Sequence, residues 1–146
     1  MRKVIALAFV LIFGGSAAFC ADVVSLESEA MIMRVELNTL GSSGDPFERE
    51  AILRKIIDKC KGTEEAEAAY WDLADLYLEG FPEEMRQEAR EMLELCLRNY
   101  PDTRRSVLVK CRLVDLYDAK DSRRAELVKQ LKNDGRLPSM LRSSMN

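Results

Sequence analysis

The sequence predicts an all-α protein, a short α-solenoid of about six helices paired as antiparallel hairpins. Three observations predict it. Between a few proline and glycine breaks, apolar residues recur at helical spacing, and no segment sustains the alternation of a strand. The stretch Leu73 to Tyr77, LADLY, returns forty residues later as Leu113 to Tyr117, LVDLY. A fixed period of that size marks stacked two-helix units, none of which can bury its apolar stripe alone.

Residues 1–20 read as a secretory signal peptide. Arg2 and Lys3 precede the apolar run Val4 to Phe13, and Gly14 to Ala18 are small. The run is shorter than the roughly 20 apolar residues a bilayer span needs. Cleavage fits after Cys20, with Ala18 and Cys20 as the small pair, or after Ala18. A third outcome is lipidation of Cys20, against which Phe19 stands where a small residue normally precedes the modified cysteine. Retention as an N-terminal anchor is a fourth.

The first helix spans Leu26 to Leu40, with Leu26, Ala30, Met33, Leu37 and Leu40 on one face. Ser25 is its expected N-cap and Gly41 its stop. With the leader removed, residues 21–44 form this helix and a flexible GSSG joint, and residues 45–134 form the repeat region. Asp45-Pro46 opens the second helix, an acceptor followed by proline at the first helical position. Ala51, Ile52, Ile56 and Cys60 carry its apolar face, widened by Leu53 and Ile57, and Gly62 ends it. Thr63 caps the third helix, whose Glu64, Glu65 and Glu67 suit a helix N-terminus. Ala66, Tyr70, Leu73, Ala74 and Tyr77 face inward, with Trp71 and Leu76 alongside.

Gly80-Phe81-Pro82 breaks the pattern. A fourth helix is expected from about Glu83 to Tyr100, turning Met85, Ala89, Met92, Leu93, Cys96 and Leu97 inward, and Pro101 stops it. Asp102 or Thr103 caps a fifth helix from Ser106 to about Tyr117. A sixth follows the joint Lys120-Asp121-Ser122 and closes at Asn133-Asp134-Gly135. Residues 135–146 read as a loose C-terminal tail.

A shift of forty residues lays Thr63 on Thr103, Leu73 on Leu113, Asp75 on Asp115 and Tyr77 on Tyr117. Further upstream it lays Leu53 on Leu93, Ile57 on Leu97 and Ile52 on Met92. Tyr70, Leu73, Ala74 and Tyr77, followed by Ala89, Leu93, Cys96 and Pro101, resemble the two helices of a tetratricopeptide repeat. The loop between Tyr77 and Ala89 is three residues longer than the family's. Leu113, Val114 and Tyr117 match the first-helix pattern again, and the last helix departs from it. The stretch Ala89 to Thr103, with its Tyr-Pro-Asp-Thr ending, is similar to repeats of cell-envelope proteins, among them outer-membrane assembly lipoproteins and the coordinator of the Tol–Pal system.

Bulk charge bears on partners. The whole chain carries −3, and removal of residues 1–20 takes away Arg2 and Lys3, leaving −5. An acidic total counts against nucleic acid, whose phosphates need a basic face. The balance is uneven: residues 21–100 hold 9 basic and 19 acidic side chains, and residues 101–146 hold 11 and 6.

The chain has no histidine, which removes Ser-His-Asp and Cys-His catalysis and the commonest general base. Neither a Gly-rich phosphate loop nor Cys-x2-Cys metal spacing is present, and no cofactor is expected. A carboxylate pair such as Asp72 and Asp75 is the remaining route to an enzyme. Cys60, Cys96 and Cys111 each lie on an apolar stripe, which suits three small buried side chains. An oxidising compartment also permits a bridge. Folding back at Pro101 to Arg105 brings Cys96 level with residues 108–111, so Cys96–Cys111 is the favoured pair.

The resemblance implies a non-enzymatic scaffold of the periplasm or cell envelope that holds a peptide or partner helix in a groove lined by the first helices of its repeats. Trp71, Asp72, Asp75, Arg112 and Asp115 are the implied contacts, because that family turns these helices to its concave side. Trp71 stands about 100° round the helix from Tyr70, so it either lines the groove or packs beneath the first helix. Asp75 and Asp115 recur without a packing reason, as a shared ligand-facing row or as two solvated carboxylates. Membrane contact enters only through lipidation at Cys20 or a retained leader, and a lipid-anchored subunit of an assembly complex is the alternative.

Overall fold

The computed structural model describes residues 25–41, 43–81 and 85–134. The expected leader, Cys20, Pro82 and the tail from residue 135 lie outside the described residues. Helix α1 covers residues 25–40, and α2, Pro46–Lys59, follows it. Helix α3, Glu64–Asp75, runs on into a π-helical turn, Leu76–Gly80. Then come α4, Arg86–Asn99, α5, Ser106–Leu116, and α6, Ser122–Asn133. No strand occurs among the described residues, and the protein is all-α.

The caps follow local chemistry. Asp45 accepts from the Phe47 N–H at 3.0 Å, and Pro46 fills the position where no N–H is needed. Thr63 accepts from the Ala66 N–H at 3.2 Å, and Asp121 from the Arg123 N–H at 2.9 Å. Gly41 and Gly62 take positive φ, 66° and 85°, a conformation that costs a residue with a Cβ.

Several expectations shift. Ser25 is already helical, so it is not the cap of α1. Helix α4 begins at Arg86, and Met85 precedes it in non-helical conformation. Ala51 is exposed, and the buried stripe of α2 is Leu53, Ile56, Ile57 and Cys60. Those four keep the 3–4 spacing of one helix face, from which Ala51 stands aside. Arg105 occupies the cap position of α5, yet Thr103 supplies the acceptor, its Oγ1 taking the Ser106 N–H at 3.2 Å.

One core joins α1 through α5, built on Ala30, Met33 and Leu37 of α1, Leu53 and Ile56 of α2, Leu73 and Tyr77, Leu93 of α4, and Leu113. A second cluster of Val107, Val114 and Leu131 fastens α6 onto α5. Packing runs mainly between consecutive helices: α2 on α3, α3 on α4, α4 on α5 and α5 on α6.

The forty-residue period is physical. Helix α4 repeats the bounds of α2 forty positions on. Leu73 and Leu113 are both buried, as are Tyr77 and Tyr117. The threonine turns match in the cap they supply. Thr63 accepts from the Ala66 N–H and Thr103 from the Ser106 N–H, but Thr63 donates its hydroxyl proton to the Cys60 carbonyl whereas Thr103 donates its own to the Glu67 carboxyl. Each repeat tyrosine also meets an i,i+4 ion pair on the preceding helix, with the signs exchanged. Tyr77 donates to Glu50 at 2.6 Å and accepts from Arg54 at 2.6 Å. Tyr117 donates to Glu94 and lies beneath Arg90, its ring centroid 5.4 Å from the guanidinium carbon. Positions 50 and 54 are Glu and Arg, and positions 90 and 94 are Arg and Glu.

Burial, together with the bonds to Glu50 and Glu94, pushes the Tyr77 and Tyr117 hydroxyls up to about 12. An unfolded tyrosine titrates near 10. A raised folded-state value stabilises the fold fully below pH about 10, and that contribution is lost as pH climbs toward about 12. Thermal melts followed by circular dichroism are expected to fall steeply through this window. The double variant Tyr77→Phe/Tyr117→Phe is expected to decline less, and parallel curves for the two proteins would refute the linkage.

Candidate functional site

Helices α1, α3 and α5 lie side by side, fastened by charge. Arg34 of α1 donates to Glu65 at 3.1 Å and to Asp72 on α3. Arg112 of α5 approaches Asp75 at 3.4 Å and Glu79 at 3.7 Å. Four carboxylates on α3 and its π turn are thus answered by two guanidinium groups, one from each flank. Trp71 stands one turn from Asp75 on α3, and its ring packs partly buried against the main core. Burial raises the Asp75 carboxyl above its usual range, Arg112 opposes the shift, and Glu79 adds to it. Arg86, at the start of α4, reaches the Asp115 carbonyl at 3.4 Å.

Two open grooves flank this row. One, of about 510 Å³, is lined by Arg34, Leu37, Arg49, Asp72, Asp75 and Glu79, among others. The other, of about 290 Å³, is lined by Leu78, Glu79, Arg86, Arg112, Asp115 and Leu116. The five residues singled out from sequence therefore fall on one face and line or border these grooves. Asp72, Asp75 and Arg112 are bound into ion pairs within the chain, and Asp115 is exposed. The echo of Asp75 in Asp115 is positional: of the two, only Asp75 pairs with Arg112.

Arg34, Glu65 and Glu79 were not legible as members of this row, because their pairing crosses between helices. An apolar row on α1 was also missed, and for it a signal existed. Shifting LADLY back by forty residues puts Met33 on Leu73 and Leu37 on Tyr77, and all four are buried. The same shift lays Met31, Ile32 and Val35 on Trp71, Asp72 and Asp75. Met31, Ile32 and Val35 are 66%, 70% and 58% exposed, on the side of α1 opposite Ala30, Met33 and Leu37. Leu108 on α5, 48% exposed, holds the corresponding place to Ala68 on α3. Thus four of the five large apolar side chains exposed among the described residues lie on the outward face of α1, α3 and α5, and the fifth is Phe47.

The favoured cysteine bridge is not formed. Cys60, Cys96 and Cys111 are free thiols. Cys96 is buried in the main core with its Sγ 3.9 Å from the Glu67 carbonyl oxygen, whereas Cys111 packs on the second cluster beside Val107 and Val114. Folding back at Pro101 brings α4 and α5 together, but it turns these two side chains into different clusters. Burial, with the neighbouring Glu67, pushes the Cys96 thiol up to about 12, which leaves little thiolate at neutral pH.

Among the described residues no cluster of cysteine, aspartate and glutamate is placed to hold a metal ion, and no helix is long and apolar enough to cross a membrane. Compared with protein-family profiles, curated proteins and solved structures, the chain matches none of the three.

Proposed function

We propose that the protein is a non-enzymatic binding scaffold of tetratricopeptide-like design, a short solenoid whose outward face on α1, α3 and α5 holds a partner segment. The observation that carries this is the exposure of Met31, Ile32, Val35 and Leu108, which helix register places on the outward sides of α1 and α5, with Trp71 on the intervening α3. Exposed apolar side chains grouped within a polar rim mark interaction surfaces, and tryptophan and arginine are favoured anchors there. The forty-residue repetition of turns, packing slots and tyrosine contacts supports the repeat design. The signal-peptide reading of residues 1–20 supports a setting in the periplasm or cell envelope, with lipidation at Cys20 as the route to a membrane-anchored subunit.

Site-specific photo-cross-linking tests the face. A benzoyl-phenylalanine at Val35 or Asp115 is expected to give discrete adducts in intact cells, and one at Asp58 or Gln130, exposed on other helices, to give none. Adducts of equal yield from all four positions, or from none, would remove the face from consideration.

A further inference from the structure

The outward face changes character along its length. On α1 it is apolar, and the exposed charges on that helix beside Met31, Ile32 and Val35 are Glu27, Glu29 and Glu36, of which Glu29 pairs with Lys59 of α2 at 3.4 Å. Arg34, the one cation of α1, is turned onto α3. On α3 and the π turn the face is acidic, with Glu65, Asp72, Asp75 and Glu79 against Arg34 and Arg112. Glu79 is 77% exposed and its contact with Arg112 is long, 3.7 Å.

Resting on the reading of this face as the binding surface, we propose that its occupant is an amphipathic helix whose apolar stripe is bordered by Lys and Arg. Its apolar end lies over Met31, Ile32 and Val35, and its basic end lies over Asp72, Asp75 and Glu79. A ridge at i, i+1 and i+4 offers the spacing that an apolar helix stripe engages. Basic flanks on the occupant meet Glu27 and Glu36 at one end and the surplus carboxylates at the other. Exposed ion pairs contribute about 0–1 kcal/mol, so Arg112 yields Asp75 to an incoming cation at little cost. The same charges argue against two other occupants. A second copy seated through its own α1 would bring Glu27 and Glu36 against like charge. An anionic lipid surface would face the acidic row.

The full chain contains one tryptophan, Trp71, whose emission reports binding of peptides that lack it. Two synthetic helices with an identical leucine stripe serve as probes, one flanked by lysine and one by glutamate. The lysine peptide is expected to bind about tenfold or more tighter than the glutamate peptide, a gap of about 1.4 kcal/mol, and to weaken as salt screens the row. Ile32→Glu/Val35→Glu is expected to cost a similar factor. Asp75→Lys/Glu79→Lys is expected to reverse the preference between the peptides. All four positions are exposed or half-exposed, so circular dichroism is expected to show these variants folded.

If both peptides bind equally well and both are lost in Ile32→Glu/Val35→Glu, the charge assignment fails while the binding face stands. If the lysine peptide binds both double variants as it binds the parent, the face itself fails. Sedimentation of the full chain as a dimer that Ile32→Glu/Val35→Glu dissociates would put a second copy on the face and overturn the proposal.

Discussion

Leu73→Ala is expected to lower the unfolding free energy into the upper half of the range of about 2–5 kcal/mol seen for buried leucines. Leu73 is fully buried on α3, the helix that packs on both α2 and α4. Its neighbours are held from two sides, so the space left by the lost carbons cannot close by a shift of one helix. The penalty then includes the cavity as well as the lost transfer energy. Domains of this size have about 5–15 kcal/mol in all, so the variant should lose a large part of its stability. Urea denaturation followed by circular dichroism measures the change, with Leu108→Ala on the outward face as a control expected to move by no more than about 0.5 kcal/mol. A loss below about 1 kcal/mol for Leu73→Ala would mean that α3 is not the central helix described here.

Thr103→Val is expected to cost about 2–4 kcal/mol, more than the equivalent Thr63→Val at about 1 kcal/mol. Both threonines cap the helix that follows, and valine removes that acceptor. They differ in what the hydroxyl proton meets: that of Thr63 goes to the Cys60 carbonyl, and that of Thr103 to the carboxyl of Glu67, a side chain only 4% exposed. A buried polar group deprived of a partner costs its desolvation, and hydrogen bonds to acidic groups lie at the strong end of the range. A double-mutant cycle with Glu67→Leu isolates that contact. Coupling of about 1 kcal/mol or more is expected, and coupling near zero would show that the cap alone accounts for the loss.

These two predictions rest on features of different legibility. The burial of Leu73 follows from its place in a 3–4 stripe, and the caps Asp45 and Thr63 follow from residue type and position. The Glu67–Thr103 bond does not, because it joins residues 36 apart through a turn whose closure the sequence leaves open. The same holds at the face. Trp71, Asp72, Asp75, Arg112 and Asp115 were placed together by the repeat pattern, but the pairing of Asp72 with Arg34 and of Asp75 with Arg112 depends on how the odd-numbered helices lie beside one another. The Cys96–Cys111 expectation failed for that reason: sequence distance from a turn sets height along a hairpin, whereas side-chain direction is set by what each helix packs against.

By itself the sequence determined the helices, the caps of the second, third and fifth of them, most of the buried stripes and the forty-residue period, because these depend on spacing along one chain and on the hydrogen-bonding habits of single residues. Only the tertiary structure decided which charges pair, which cysteines remain apart, that the third helix ends in a π turn, and that Met31, Ile32, Val35 and Leu108 share a face with Trp71. Those outcomes depend on distances between residues remote in sequence, and the packing of α1, α3 and α5 on α2 and α4 sets those distances.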